Sequence, residues 1–353
     1  MERLERWERW ERFERLLIGD IDYIGKKIYI CIRYNFGMTY KPQIEFTYEL
    51  NAIRQRVFKK KQILDDHRPF APSILSRLQQ DFTLEWTYNS NHIEGNTLTI
   101  AETKLILEDG ITVGGKTLRE HFEVLNHEKA IHFLEGLLDR NENLRPIDIL
   151  SIHELVLANI MDDFAGRLRP GMVRIVGANF TPPNAIKVPE LLDELVEYVN
   201  TNPSKYDLIT LATLFHHRFV WIHPFNDGNG RTIRLAMNLL LMKDGYPPFF
   251  ILTKDRKKYI TALNQANNED YKKLLLLMFQ AVERSLNIYI SSLGGEYEDY
   301  LSTANIANDP DVPYGQEYLS LLARRGRIDA YKEGRVWLTT KSAVKKYQES
   351  KLK

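Results

Sequence analysis

The chain has 353 residues, 44% of them hydrophobic and 27% charged, with a formal net charge of +1. That suffices for a sizeable core in one large or two to three modest domains, and the charge balance argues against whole-chain attraction to a polyanion while leaving room for a local basic patch. The single cysteine, Cys31, excludes an intramolecular disulfide and a cysteine-rich zinc site; no stretch approaches about 18 uninterrupted apolar residues, and the start Met1-Glu2-Arg3 lacks an apolar leader core, so a cytoplasmic protein without membrane contact is expected.

Residues 2–16 repeat a three-residue unit built on Glu-Arg followed by Leu, Trp or Phe. On a helix Leu4, Trp7, Trp10, Phe13 and Leu16 drift by about 60° per step, which smears them around the surface instead of forming a face. Ile21 to Phe36 is rich in Ile and Tyr and reads as one or two strands. Met38 follows, and two readings of residues 1–37 stay open: a translated segment upstream of the real start, or a weakly ordered extension. From Glu49 to about Leu107 the pattern is mostly helical, with apolar Leu50, Ile53, Val57 and Ile63 and a break at Arg68-Pro69. Thr99 and Glu102 have capping-box spacing.

Helices are predicted at about 117–138, 146–161, 188–200, 206–220, 230–243, 256–267 and 270–290. Between the second and third, Gly171 to Ile186 reads as a short hairpin, with strand-like Met172 to Val176 followed by Gly177, Phe180 and Pro182-Pro183. In the tail a helical segment from Glu317 to Arg325 precedes a second hairpin signature, Ile328 to Tyr331 and Val336 to Leu338 around Lys332-Glu333-Gly334-Arg335, and a last helix begins near Thr340. The fold class is therefore mainly α, with one short hairpin in the helical core and a small helix-and-hairpin module at the C-terminus. The organisation reads as an N-terminal helical region over 38–125, a core over 126–290, a linker over 291–312 and a small module over 313–353. Residues 311–353 carry ten Lys and Arg against five Asp and Glu, so the tail is basic although the chain is nearly neutral.

The densest chemistry lies in His223-Pro224-Phe225-Asn226-Asp227-Gly228-Asn229-Gly230-Arg231-Thr232-Ile233-Arg234. Gly228-Asn229-Gly230 permits tight curvature that turns successive N–H groups inward, and the helix that follows offers unpaired N–H groups at its positive end, a site for phosphate. Arg231 and Arg234, three apart, project from one helix face and can clamp phosphate oxygens. Asp227 is a hard oxygen ligand suited to Mg²⁺. His223 can accept a proton near neutral pH.

Every fixed position of this stretch resembles the signature of the Fic family, HPFx(D/E)GNGRxxR, and Leu214 to Ile222 resembles the family's approach helix. The resemblance covers roughly residues 45–290. It implies a protein adenylyltransferase with a Fic-type helical core, using ATP as substrate with Mg²⁺. His223 would take the proton of a Ser, Thr or Tyr hydroxyl on a target protein, and Asp227 would hold the metal. The 228–230 backbone would form the anion hole, Asn229 would help orient the α-phosphate, Arg231 would hold the phosphates and Arg234 the γ-phosphate. The hairpin residues Val173, Arg174, Ile175, Val176 and Gly177 match the family's flap, which pairs with an extended target segment.

Ser90-Asn91-His92-Ile93-Glu94-Gly95 resembles the family's inhibitory motif, [S/T]xxxE[G/N]. By that resemblance Glu94 pairs with Arg234 and takes the place of the γ-phosphate. Some relatives also remove AMP with this glutamate orienting water. Residues 318–337 resemble small winged-helix or excisionase-type modules, in which Arg324, Arg325, Arg327, Lys332 and Arg335 could contact DNA phosphates or a protein partner. The competing readings are a DNA- or partner-binding regulator on a Fic scaffold and a transferase with another nucleotide donor; a homo-oligomer stays open.

Overall fold

The computed structural model describes residues 40–140, 142–175, 177–293, 300–333 and 335–351. The expectations for residues 1–37, and for Val176, fall outside that set. Residues Pro42–Lys353 form one compact unit, distinct from Met1–Lys41. Among the described residues the helices in chain order are α1 (Tyr48–Asp66), α2 (Pro72–Ile93), α3 (Ile100–Asp109), α4 (Leu118–Leu138), α5 (Pro146–Leu157), α6 (Val188–Thr201), α7 (Leu208–Ile222), α8 (Asn229–Lys243), α9 (Arg256–Ala266) and α10 (Lys272–Ser292). The C-terminal portion continues as β1 (Leu301–Ser302), α11 (Thr303–Ala307), α12 (Gln316–Arg324), β2 (Ala330–Glu333), β3 (Val336–Thr339) and α13 (Lys341–Lys351).

The ends of these helices are written in the sequence. Thr47, Thr99, Thr117 and Asp207 accept backbone N–H groups of their first turns, and Thr99–Glu102 and Thr117–Glu120 form full capping boxes. Helices α7 and α8 occupy the centre. In α7 every residue from Ile209 to His217 is buried, and α8 is buried almost continuously from Arg231 to Leu241; helices apolar nearly all round belong inside. They are joined by residues 223–228, so the signature is the corner of a buried helical hairpin. Helix α7 stops at His223, whose φ is +50°, and Pro224 prevents continuation.

Two expectations are corrected. Among the described residues of 172–187 no strand forms: residues 172–175 have no ladder partner, and the return limb holds Pro182 and Pro183, which have no N–H to donate. The loop is fastened instead by Asn264, whose Nδ2 donates to the Gly177 carbonyl (3.2 Å), and by Asn267, whose Nδ2 donates to Asn179 Oδ1 (2.8 Å).

Nor is 291–312 only a linker. Leu301 and Ser302 pair antiparallel with Thr339 and Leu338, giving a sheet ordered β1-β3-β2, and Ile306 is buried in a cluster with Leu319, Leu322, Ile328 and Val344. This C-terminal portion is docked on the helices by charge. Arg56 and Lys60 of α1 bind buried Glu283 of α10, Lys60 Nζ also donates to Tyr300 Oη, and Tyr300 Oη donates to Asp329 (2.7 Å). A sequence scan for linkers sees the Gly, Asn and Pro residues but not the partners that order them.

Candidate active site

His223 lies at the C-terminal cap of α7, with its Nδ1 3.4 Å from the Val220 carbonyl. With Nδ1–H donating there, Nε2 is left as the proton acceptor. Burial, the largest influence, pushes its pKa below the ordinary value of 6.5, and Arg169 pushes the same way; the Val220 carbonyl, Glu94 and Asp227 oppose. The imidazole is therefore neutral at neutral pH, the form a base requires.

Arg169, which the sequence did not single out, fixes this corner. It is 2% exposed. Its Nε donates to the His223 carbonyl (2.7 Å), Nη1 to Gly171 (2.7 Å) and Nη2 to Pro183 (2.5 Å), while its own N–H donates to Pro224 (2.9 Å). One guanidinium thus ties the 223–224 corner to both limbs of the 171–183 loop. His153 of α5 is the second brace. Its ring stacks on Phe225 at 3.6 Å; Nδ1 accepts the Gly166 N–H (3.0 Å), so Nε2 carries the proton and donates to the Asp227 carbonyl (3.0 Å).

Gly228 caps α8 with φ +72°, and a Cβ there would press on the His153 ring. No side chain caps the first turn of α8 among the described residues, so its N–H groups face the site. Arg231 is 2% exposed, and its Nε has no hydrogen-bond partner among the described residues. Its Nη1 lies 3.1 Å from Glu123 Oε1 and its Nη2 3.6 Å from Asp227 Oδ1. An unsatisfied buried guanidinium N–H beside an uncapped helix start is a place for an anion's oxygens. Asn229 is tied into the loop by its side chain. Its Oδ1 accepts the Phe225 N–H (2.9 Å) and its Nδ2 donates to the Phe225 carbonyl (2.8 Å). Both heteroatoms of the amide hold the loop in shape.

Ser90 and Glu94 meet Arg234 across 140 or more residues of chain. Arg234 Nη1 lies 2.8 Å from Glu94 Oε1, Nε donates to Ser90 Oγ (3.1 Å) and Nη2 to the Ser90 carbonyl (2.8 Å). The Glu94 carboxylate lies so close over Gly230 that a Cβ at that position would collide with it. A protein carboxylate therefore sits at the start of α8, beside the groups arranged for phosphate. The end of α2 is held there by Thr253 N–H donating to Asn89 Oδ1 (3.0 Å) and Arg256 Nε donating to the Ile93 carbonyl (2.6 Å).

Asp227 is partly exposed, with its side chain 36% accessible. Burial alone would raise its pKa; Arg231, the Gly228 N–H and Arg119 outweigh it and hold the carboxyl below the usual range. Among the described residues no group of three or more His, Cys, Asp or Glu is close enough to hold an ion. A single carboxylate next to a phosphate site fits Mg²⁺, which binds through one or two carboxylates together with substrate phosphates and water.

A model of the Fic/DOC family matches residues 143–241. Over 255 residues the chain is 33% identical to protein adenylyltransferase fic-1 of Caenorhabditis elegans, covering 71% of this chain and 50% of the relative. Over 248 residues it is 35% identical to protein adenylyltransferase Fic of Nematostella vectensis, covering 67% and 57%. The solved structure of Fic-1 (residues 134–508) from C. elegans superposes with a TM-score of 0.63 at 31% identity, covering 69% of this chain and 73% of that one. The chain belongs to the Fic/DOC family. It spans about half the length of the curated relatives it matches. In this Fic protein the family match takes in α5 to α8, and so includes His153, Arg169, His223, Asp227, Arg231 and Arg234. Ser90, Glu94, Arg119 and Glu123 come from helices ahead of it.

Proposed function

We propose that this Fic protein transfers AMP from ATP to Ser, Thr or Tyr hydroxyls of target proteins. The observation that carries the proposal is the convergence at one helix corner of a neutral buried imidazole, an uncapped helix N-terminus and the partly unsatisfied Arg231. Names of the relatives, protein adenylyltransferase in worm and sea anemone, support the same chemistry. Nε2 of His223 takes the proton of the incoming hydroxyl as its oxygen bonds to the α-phosphorus, and the bond to the β-phosphate oxygen breaks, releasing pyrophosphate. The N–H groups of residues 228–230 and the Arg231 guanidinium stabilise charge on the phosphate oxygens, with Arg234 reserved for the γ-phosphate. Asp227 would hold Mg²⁺, which when bound neutralises phosphate charge. The backbone of residues 172–174 would offer an extended target segment its partners, the part assigned to the loop residues Val173, Arg174, Ile175 and Gly177.

Glu94 acts as a brake in this reading, because its carboxylate occupies Arg234 and lies over Gly230. The test is transfer of labelled AMP to protein by the full chain. Glu94→Gly should label, adding His223→Ala should end labelling, and a silent Glu94→Gly protein with intact fold would remove the proposal.

A second activity is favoured by a different observation. Arg324, Arg325, Arg327, Lys332 and Arg335 are all exposed in the C-terminal portion, and Lys332 shares a cleft of about 500 Å³ with Lys257 and Lys273 of the helical part. This basic surface is suited to a phosphate backbone. Salt-sensitive binding of duplex DNA by the full chain, lost on reversing these charges, supports it; no binding at low salt removes it.

A further inference from the structure

The metal side of the site carries a contact that the signature does not contain. Arg119, on the first turn of α4, places Nη2 2.5 Å from Asp227 Oδ2 and Nε 3.2 Å from Glu123 Oε1. Glu123 in turn lies 3.1 Å from Arg231 Nη1, and Arg231 Nη2 lies 3.6 Å from Asp227 Oδ1. The four side chains form a closed ring of alternating charge. Its members differ in freedom. Arg231 is clamped inside at 3% side-chain exposure, and Glu123 is 10% exposed and further held by Asn96 Nδ2 at 3.0 Å. Arg119 is half exposed and is the one cation of the ring able to leave.

We propose that Arg119 is a stand-in for the divalent cation. Its guanidinium occupies the outer oxygen of Asp227, and a metal ion gains that oxygen only by displacing it. The displaced side chain stays tethered by Glu123, four residues along the same helix, so release and return need only side-chain rotation. The resting site then holds internal copies of both halves of its substrate: a carboxylate where the anion goes and a guanidinium where its cation goes. Arg119 is a positioning residue that sets how readily the site loads with metal.

This inference rests on the reading of Asp227 as the metal ligand, and the experiment separates the two. Mn²⁺ alone is titrated into the full chain without nucleotide, and free ion is followed by electron paramagnetic resonance. Arg119→Ala is expected to tighten Mn²⁺ binding about two- to fivefold, the size of an exposed ion pair that no longer has to be broken. Arg119→Lys, which keeps a cation on the same tether, should stay near the wild type. Lys116→Ala, which removes a neighbouring charge that touches Thr97 and Glu102 instead of Asp227, should also stay near the wild type. Unchanged or weaker binding in Arg119→Ala overturns the proposal, as does equal tightening by Lys116→Ala, which would reduce the effect to general field strength. If Asp227→Ala leaves wild-type Mn²⁺ affinity intact, the metal assignment itself fails and the latch fails with it.

Discussion

The two ends of the 223–234 stretch carry opposite charges in opposite surroundings. At the α8 end, Arg234 is 6% exposed and pairs with Glu94 and Ser90. At the loop end, Asp227 is 36% exposed and pairs with a half-exposed Arg119. Both are ion pairs of similar length and both carboxylates are partly exposed, Glu94 at 38%; what differs is the cation, shut away from water in Arg234 and half exposed in Arg119. Removing one partner of a buried pair strands a charge, whereas an exposed pair is worth a few tenths to about 1 kcal/mol. If Glu94 is the brake proposed above, the buried guanidinium of Arg234 gives its pair the larger effect, and the half-exposed Arg119 gives its pair the smaller one.

His223 opens the same stretch, and loss of this base is the largest effect expected. In a Glu94→Gly background, His223→Ala should lower labelled-AMP incorporation by about 10² to 10⁴, the usual weight of general base catalysis. Because burial holds the imidazole's pKa below 6.5, kcat/KM of the released enzyme should stay level as pH falls through that value and decline only further into acid. A decline centred at about pH 6.5 or above would mean that the buried, neutral base is not the group titrating.

The exposed end hangs from a buried histidine, so acid should weaken it. Burial, the largest influence, together with Arg231 lowers the His153 pKa to about 4 from 6.5, although the Asp227 carbonyl and carboxylate work the other way. Between those values the unfolded chain binds a proton that the folded chain refuses. Stability from this group is thus complete above about pH 6.5 and is lost as pH falls towards 4, by about 3 kcal/mol in all. Urea unfolding across that range should show His153→Gln losing less stability than the wild type; parallel curves would remove His153 as the brace.

The inner pair comes next. Glu94→Gly should raise ATP affinity and labelling about 10-fold or more, in line with about 1.5–3 kcal/mol for a hydrogen bond to a charged group. The same change strands Arg234, so the melting temperature of the nucleotide-free protein should drop and ATP should restore more of it than in the wild type. Equal ATP-induced shifts in both proteins would break the idea that carboxylate and phosphate compete for Arg234. The smallest effect is the two- to fivefold change in Mn²⁺ affinity at Arg119. Should that exceed the Glu94 effect, burial is not what separates the two ends.

Much of the site was legible because its chemistry is local. His223, Asp227, the 228–230 turn, Arg231 and Arg234 fall within twelve consecutive residues, and the helices around them announce themselves by caps and by apolar runs such as 208–222. Ser90 and Glu94 could be matched as a motif, though only by resemblance. The hairpin expected at 172–187 failed because Met172 to Val176 has a strand-like composition with no partner supplied by the proline-bearing limb opposite it. The segment expected as a linker failed for the converse reason: Ser302 and Ile306 look like loop residues until β3 and the cluster around Leu319 receive them.

By itself, then, the sequence determined the reactive groups and the helices that carry them, since capping, periodicity and motif spacing act over a few residues. Tertiary structure decided which charges face one another. Arg169 reaches the His223 carbonyl from 54 residues away, Arg119 reaches Asp227 from 108 and Ser90 reaches Arg234 from 144. Such pairings leave no period or spacing in the chain, because they are fixed by how helices pack and by which side chains that packing shuts away from water.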